Sequence, residues 1–491
     1  MLLSEIIRDL PIITRMGDSD PDISRVVYDS RNVQAGDLFV ALRGEKTDGH
    51  LYAQQALQRG ASAFLVEEPV EAPCWIQVPD TLGALAVVSR NIYKAPADDL
   101  QLIGVTGSNG KTTTTYLIET IGQAGGEKIG LLGTIEYRWP GHCQPAPHTT
   151  PFSSELQEGL AAMRSAGVAK VVMEVSSHAI ELHRIDTLLF DTAVFTNLSH
   201  EHLDFHGNME NYAAVKHRLF TQYLKPEGTA VLNLDDLWAQ RWYQDLAPRH
   251  ILTYGYETPA QVRPLNYQLS AEGIHAVLAT PQGRLQVVST LVGRHNLYNL
   301  MAAISACLSR DIPLEVIEEG IRQSTCVPGR LEAVDCGQPF KVFVDYAHTP
   351  DGVKNVLGTL NEILHARLIC VIGCGGDRDR KKRPLMASIA QENSKLVILT
   401  SDNPRSEDPE KILEAMEVGM IGNRGSSYLC IADRQEAIHT AMQLAKPGDI
   451  VLIAGKGHET YQEIQGVRHP FDDRLVAAAE LERLGFVKKK A

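Results

Sequence analysis

Short apolar runs alternate with longer stretches of helical spacing along almost the whole chain. Near the N-terminus the strand-like runs are Leu38–Leu42 and Ala63–Val66, with helical stretches between them. The polar stretch Lys94-Ala95-Pro96-Ala97-Asp98-Asp99 follows and reads as a linker. Beyond it come Leu102–Val105, Lys170–Val175, Thr192–Leu198 and Thr229–Leu234, then a second boundary near Thr325-Cys326-Val327-Pro328-Gly329. The pattern resumes at Val342–Asp345, Leu368–Gly373, Leu396–Thr400 and Ile450–Ala454. Strands alternating with helices predict α/β modules with mostly parallel sheets. A chain of 491 residues exceeds what one core organises, so modules over 1–97, 98–327 and 328–491 are expected.

The strand at Leu102 runs into Val105-Thr106-Gly107-Ser108-Asn109-Gly110-Lys111-Thr112-Thr113. A strand, a glycine-rich turn and then Lys-Thr opening a helix make a phosphate cradle. Gly107 and Gly110 let the backbone approach the phosphates, Lys111 supplies charge, and Thr112 offers a hydroxyl to Mg²⁺. The loop is a variant of the usual one: the leading glycine would fall at Val105, and Gly104 stands one residue early. An ordinary glycine turn is the bland alternative; the intact Asn109 to Thr113 run favours a nucleoside triphosphate.

Other candidate residues sit where strands end, the usual ligand side of open parallel sheets. Glu174 closes one strand, before Ser176-Ser177-His178, and is placed to take a metal. The loop Ser199-His200-Glu201-His202-Leu203-Asp204-Phe205-His206 is richer in His and acids than a bland loop needs, although spacing does not choose among the histidines. Lys216 lies on a helical pattern and by spacing is a solvated lysine; carbamylated by CO₂ it would become a carboxylate. Asn296 and Asn299 open a helix, either reading an adenine edge or capping it. Arg330 stands beside the second boundary, suited to a phosphate. In the last module, Arg405 could grip a carboxylate while Asp402 and Glu459 face an ammonium, and Arg378 lies at a neighbouring strand end. That set reads a zwitterion.

Composition narrows the partners. The net charge of −13 argues against nucleic acid or an anionic membrane. Lys488 to Lys490 are too few for a basic patch. The charged N-terminal stretch lacks a signal peptide's apolar core, and no apolar run approaches the ~20 residues of a membrane span. The eight cysteines form no CxxC pair and no metal spacing, as expected of reduced thiols in a cytoplasmic protein.

Taken together, Thr106 to Thr113, Met173 to His178, Asn197-Leu198 with His202-Leu203-Asp204, Gly293 with His295-Asn296 and Asn299, and Pro328-Gly329-Arg330 resemble the Mur ligases. These are cytoplasmic ATP-dependent amide-forming enzymes of peptidoglycan precursor synthesis, and thus of cell-wall growth. The resemblance runs from Asp29-Ser30-Arg31 to Asp472-Asp473-Arg474. It implies an N-terminal uridine-binding domain, a central P-loop ATPase and a C-terminal Rossmann-like domain for the amino acid. Asp402-Asn403-Pro404-Arg405 looks like the motif of the members that add meso-2,6-diaminopimelate; lysine-adding relatives lack the arginine.

The resemblance implies roles residue by residue. Tyr28, Ser30 and the Glu45-Lys46-Thr47 loop would hold the UDP-sugar, and His148, Thr149, Thr150, Ser176, Leu182 and Arg184 would line the path of the muramoyl peptide. Relatives often have Gln at the position of Leu182, which puts a side-chain bond there in doubt. Gly107, Ser108, Asn109, Gly110, Lys111, Thr112 and Thr113, with Asn299, Arg330 and Asp345, would contact ATP. Thr112, Glu174, His202 and carbamylated Lys216 would serve Mg²⁺. Arg378, Asp402, Asn403, Pro404, Arg405, Gly455 and Glu459 would bind diaminopimelate. A monomer acting on ATP, UDP-MurNAc-L-Ala-D-Glu and meso-diaminopimelate is expected. The competing readings are a lysine-adding relative, a folate polyglutamate ligase, a nucleotide-switched binding protein and a metal-dependent hydrolase. The domain before the phosphate loop speaks against the folate enzyme, and a hydrolase leaves Lys111 and Arg405 without a role.

Overall fold

The computed structural model describes residues 1–44 and 47–487. Glu45, Lys46 and Lys488 to Lys490, named above, lie outside the described residues. The chain forms two compact units. One holds Met1–Arg263 with Asn299–Gly320, and the other holds Pro264–Tyr298 with Ile321 onward.

The first unit contains two sheets. The N-terminal sheet orders its strands Thr14–Met16, Trp75–Gln77, Ala63–Val66, Asp37–Val40, Arg25–Val27, the first pair antiparallel and the rest parallel. The strands expected at Leu38 and Ala63 are both in it. The larger sheet runs His250–Tyr254, Leu224–Asn233, Phe190–Phe195, Gln101–Thr106, Lys170–Glu174, Ile129–Leu132 in parallel. Glu136–Trp139 and His142–Pro145 then extend it antiparallel. The strand preceding the phosphate loop is thus central. Gly104 has a packing role there, since a Cβ would meet the Phe190 ring at 2.8 Å.

Two expectations need correction in this unit. The stretch from Lys94 is an anchored turn: Lys94 and Ala95 have positive φ, Pro96–Asp99 forms a 3-10 helix, and Pro96 and Ala97 are buried. Arg164 Nη1 holds it by donating to Lys94 O and Asp99. The strand expected over Thr192–Leu198 ends at Phe195, leaving Thr196 to Ser199 to brace the phosphate loop.

The second unit holds a three-stranded meander, Arg263–Ser270, Gly273–Thr280 and Gly283–Ser289, not foreseen from the sequence. Its main sheet runs Glu332–Ala333, Lys341–Asp345, Ile450–Ala454, Leu368–Cys374, Leu396–Ser401, Leu429–Cys430, parallel apart from the first pair. Alternate residues of Leu368–Cys374 enter two cores: Cys370 and Ile372 one, Ile369 and Val371 the other. Both faces are therefore covered, as for a doubly wound sheet. A hairpin of Tyr461–Ile464 and Val467–Pro470 follows.

Candidate active site

Gly107 and Gly110 adopt φ of +145° and +86°, and each is crowded. A Cβ on Gly107 would lie 1.9 Å from Thr196 Oγ1, and one on Gly110 would lie 2.2 Å from Asn299 Oδ1. Only glycine fits either position. The segment after Phe195 braces the loop: Ser108 N donates to Asn197 O (2.8 Å), Asn109 N to Asn197 Oδ1 (3.1 Å), and Thr196 Oγ1 to Asn109 O (2.6 Å). The helix Lys111–Ala124 starts at Gly110 with no side-chain cap, so its N-terminus opens onto the loop. Thr112 and Thr113 are buried in its first turn. Lys111 folds back, its ammonium 2.8 Å from the carbonyls of Gly107 and Ser108.

Lys216, which spacing alone made a solvated lysine, is buried. Its Nζ donates to Gly107 O at 3.0 Å and lies 4.7 Å from the centre of the Tyr212 ring. Burial, and then the charge of Lys111, push its pKa well below the usual lysine value.

Glu174 pairs in register with Val105, which sets its carboxylate beside the strand that leads into the loop. It accepts from Thr134 N (2.8 Å) and Thr134 Oγ1 (3.0 Å), and Thr134 in turn meets Thr149. Thr150 Oγ1 donates to the Glu174 carbonyl, and Ser176 caps the helix Ser177–Glu181. Of the histidines, His206 is buried, bonded to Ser177 Oγ at 2.9 Å and stacked on Tyr212. His202 crosses His178 edge-on at 4.9 Å, and His200 is exposed. Desolvation lowers the pKa of His202 and holds His178 and His206 at about 4, so these rings are neutral near pH 7. Among the described residues no three His, Cys, Asp or Glu side chains form a ready cation cage. A buried carboxylate, a helix-start hydroxyl and a neutral imidazole fit a Mg²⁺ that keeps phosphate oxygens in its shell.

Around the expected peptide path, Arg184 Nη1 donates to Thr150 O (2.8 Å) and its guanidinium lies 3.9 Å from the centre of the Phe152 ring. His148 meets the same ring edge-on, and Tyr28 lies 5.0 Å from it, with its hydroxyl on Glu155 (2.8 Å). Sequence reasoning missed Phe152 and Glu155; their position two and five residues after Thr150 was the available signal. Ser30 bonds Gln55, Thr47 is exposed, and Leu182 closes the helix of Ser176 through its backbone.

Of the two asparagines, Asn296 is buried and donates to Val292 O, a local helix-start bond. Asn299 sits against Gly110 of the loop. In the second unit, Arg330 lies 5.2 Å over the Tyr346 ring. Asp345 accepts from Leu331 N and Ala347 N, and burial raises its pKa against the lowering charge of Arg330.

The strand ends of the second unit bring most of the zwitterion set together. Asn403 Nδ2 donates to Glu459 Oε2 at 2.8 Å, and a Cβ on Gly455 would meet Asp402 Oδ2 at 2.6 Å. Arg405, at φ +51°, donates from Nη1 to Gly376 O (2.7 Å) and lies 3.8 Å from Glu463. Arg378 is exposed just past its strand. Lys456, not singled out from the sequence, is fully buried at the centre, on Asn403 Oδ1 and Glu459 Oε2.

Three family models match in order: the Mur ligase family catalytic domain over residues 22–105, the Mur ligase middle domain over 105–307, and the Mur ligase glutamate ligase domain over 329–457. The chain is 44% identical to the UDP-N-acetylmuramoyl-L-alanyl-D-glutamate–2,6-diaminopimelate ligase of Syntrophomonas wolfei, covering 97% of this chain and 98% of the relative. It is 45% identical to the ligase of the same name from Geobacillus thermodenitrificans, covering 98% and 99%. A solved structure of an enzyme with that name superposes with a TM-score of 0.71 at 36% identity, covering 99% of both chains. No described helix is long and apolar enough to cross a membrane. With its phosphate loop and strand-end clusters set beside these likenesses, the chain belongs to the Mur ligase family.

Proposed function

We propose that this chain is an ATP-dependent amide ligase that joins meso-2,6-diaminopimelate to the D-Glu carboxylate of UDP-N-acetylmuramoyl-L-alanyl-D-glutamate. It thereby supplies peptidoglycan precursors in the cytoplasm, working as a monomer in three modules, 1–97, 98–327 and 328–491. The observation that carries this reading is the Asp402-Asn403-Pro404-Arg405 turn knit to Glu459, in a chain similar over its full length to diaminopimelate ligases.

A peptide carboxylate oxygen attacks the γ-phosphorus of ATP, the bond to the bridging oxygen breaks, and ADP leaves an acyl phosphate. Catalysis of that step is positioning and charge neutralisation, supplied by the loop N–H groups, Lys111 and Arg330. Asn299 and Asp345 hold the nucleotide. Thr112, Glu174, His202 and carbamylated Lys216 would hold Mg²⁺, which when bound neutralises phosphate charge. Tyr28, Ser30, Thr47, His148, Thr149, Thr150, Ser176 and Arg184 hold the UDP-peptide. The diaminopimelate amine then attacks the acyl carbon and loses its proton as inorganic phosphate departs. Arg378, Asp402 to Arg405, Gly455 and Glu459 grip the amino acid's far end. Diaminopimelate carries one carboxylate more than lysine. A site whose Arg405 finds no distal carboxylate when lysine binds discriminates by roughly 10⁴.

The test is ADP release from purified protein given ATP, Mg²⁺ and the UDP-dipeptide. Release that requires meso-diaminopimelate supports the proposal. Release with L-lysine alone would reassign the acceptor, and steady hydrolysis without any amine would point to a nucleotide switch.

A further inference from the structure

We propose that Lys456 is a positioning residue of the acceptor site: its buried ammonium fixes the Asn403 amide and the Glu459 carboxylate in the orientation that receives the substrate ammonium. The inference rests on the proposed reading of that site as the amino-acid pocket.

The loop is built to turn this side chain inward. The strand Ile450–Ala454 ends at Gly455, with φ +116°, and Gly457 follows at φ +52°. Neither tolerates a side chain: a Cβ at 455 would meet Asp402 Oδ2, and one at 457 would meet Tyr346 Cβ, both at 2.6 Å. Between these glycines Lys456 is fully buried. Nζ donates to Asn403 Oδ1 (3.0 Å) and Glu459 Oε2 (3.1 Å), and lies 5.6 Å from the centre of the Tyr461 ring.

Those bonds settle an otherwise ambiguous amide. Asn403 Oδ1 must face the ammonium and also accepts from Glu463 N (2.9 Å), so Nδ2 is directed to Glu459 Oε2 (2.8 Å). Glu459 Oε2 thus accepts twice while Oε1 takes no part in this network. Burying an ammonium is costly, and a buried ion pair is weak support for stability compared with an apolar side chain of like size. What Lys456 adds is a defined geometry. Without it, Glu459 Oε2 loses its bond to the ammonium, and the Asn403 amide keeps only Glu463 N to hold Oδ1 in place.

Lys456→Met keeps the length and removes the charge. Measured on the full chain with all three substrates, it is expected to raise KM for the amino acid about 30-fold, with kcat and the KM values for ATP and UDP-dipeptide within about threefold. Lys456→Gln, which retains an N–H donor, is expected to recover part of that loss. Because Lys456 acts in part through Glu459, Lys456→Met with Glu459→Gln should lose clearly less in that KM than the two single losses combined. A folded Lys456→Met with an unchanged KM, or a double variant whose losses simply add, would overturn the proposal. Loss of folding in both single variants would do so too, since it would make Lys456 a scaffold residue. An error in the reading of the site shows separately, as wild-type protein that responds to a different amino acid.

Discussion

Lys111 and Lys216 donate to a single acceptor, the Gly107 carbonyl oxygen, at 2.8 and 3.0 Å. Two ammonium groups converging on one oxygen repel, and the buried partner carries the cost. Lys216 is therefore inclined to the neutral amine, the form that adds CO₂. A carbamate at this position would convert a repelled cation into an anion that pairs with Lys111. The arrangement gives a physical reason for carbamylation that spacing along the helix could not.

The depressed pKa fixes how stability depends on pH. Below the folded-state pKa of Lys216 both states are protonated and the folded chain bears the full cost of the buried charge. As pH rises toward the ordinary value of 10.5, the unfolded state binds more protons than the folded one, and that cost fades. In CO₂-free buffer, Lys216→Met is expected to melt above wild type at pH 6, the gap closing toward pH 10. A gap that widens with pH would place the ammonium in a stabilising environment.

Activity should depend on the same atom. Lys216→Ala is expected to lose roughly 10³-fold in kcat, the scale of one lost electrostatic group, and to regain part of it with acetate or formate. Full turnover of Lys216→Ala in the ADP-release assay, with no added acid, would reduce Lys216 to a packing residue.

The loop makes a geometric prediction. An alanine at 107 would need φ +145° with its Cβ 1.9 Å from Thr196 Oγ1 and 3.0 Å from the Asn197 backbone. Gly107→Ala is expected to cost roughly 1–3 kcal/mol of stability from backbone strain and to abolish ATP binding by calorimetry. Lys111→Ala should fold normally yet fail to ligate. Retained turnover there would remove the loop from the chemistry.

The sequence exposed what depends on backbone. Glycines in a fixed order before Lys111 announce a loop because nothing else adopts those angles, and the parallel strands announced themselves as short apolar runs. It did not expose burial. Lys456 read as an ordinary lysine, and Lys216 did so by spacing, its carbamylated role coming only from the resemblance, since what makes each unusual is what packs around it. Phe152 was equally silent: Tyr28, His148 and Arg184 converge on its ring from three separated segments. The meander over 263–289 escaped because its strands alternate polar and apolar residues with much of their surface exposed, and so show no continuous apolar run.

Arg405 should govern the choice of amino acid. One arm of its guanidinium is held by Gly376 O, which aims the remaining donors. Arg405→Ala is expected to lower kcat/KM for diaminopimelate by roughly 10³ while leaving the weak use of lysine unchanged. Arg405→Lys should rescue little, because a point charge does not replace a planar fork. Equal losses for both amino acids would mean that Arg405 supports the fold rather than the distal carboxylate.

Beneath these strand ends lies an ion pair with no access to solvent. Arg434 donates to Asp473 through Nε and Nη2, both at 2.7 Å, and each side chain is fully buried. The same guanidinium also reaches Ser401 O (3.2 Å) and Ala454 O (3.0 Å), the residues just before Asp402 and Gly455. It therefore ties together the two strand ends that carry the acceptor turn and the Lys456 loop. Removing one partner strands a buried charge. Asp473→Asn and Arg434→Met are each expected to lose about 3–5 kcal/mol in denaturant unfolding. The double variant should lose less than the sum, because it leaves no orphaned charge. Additive losses would show that the two residues stabilise the fold independently, and that the strand ends are held by backbone pairing alone.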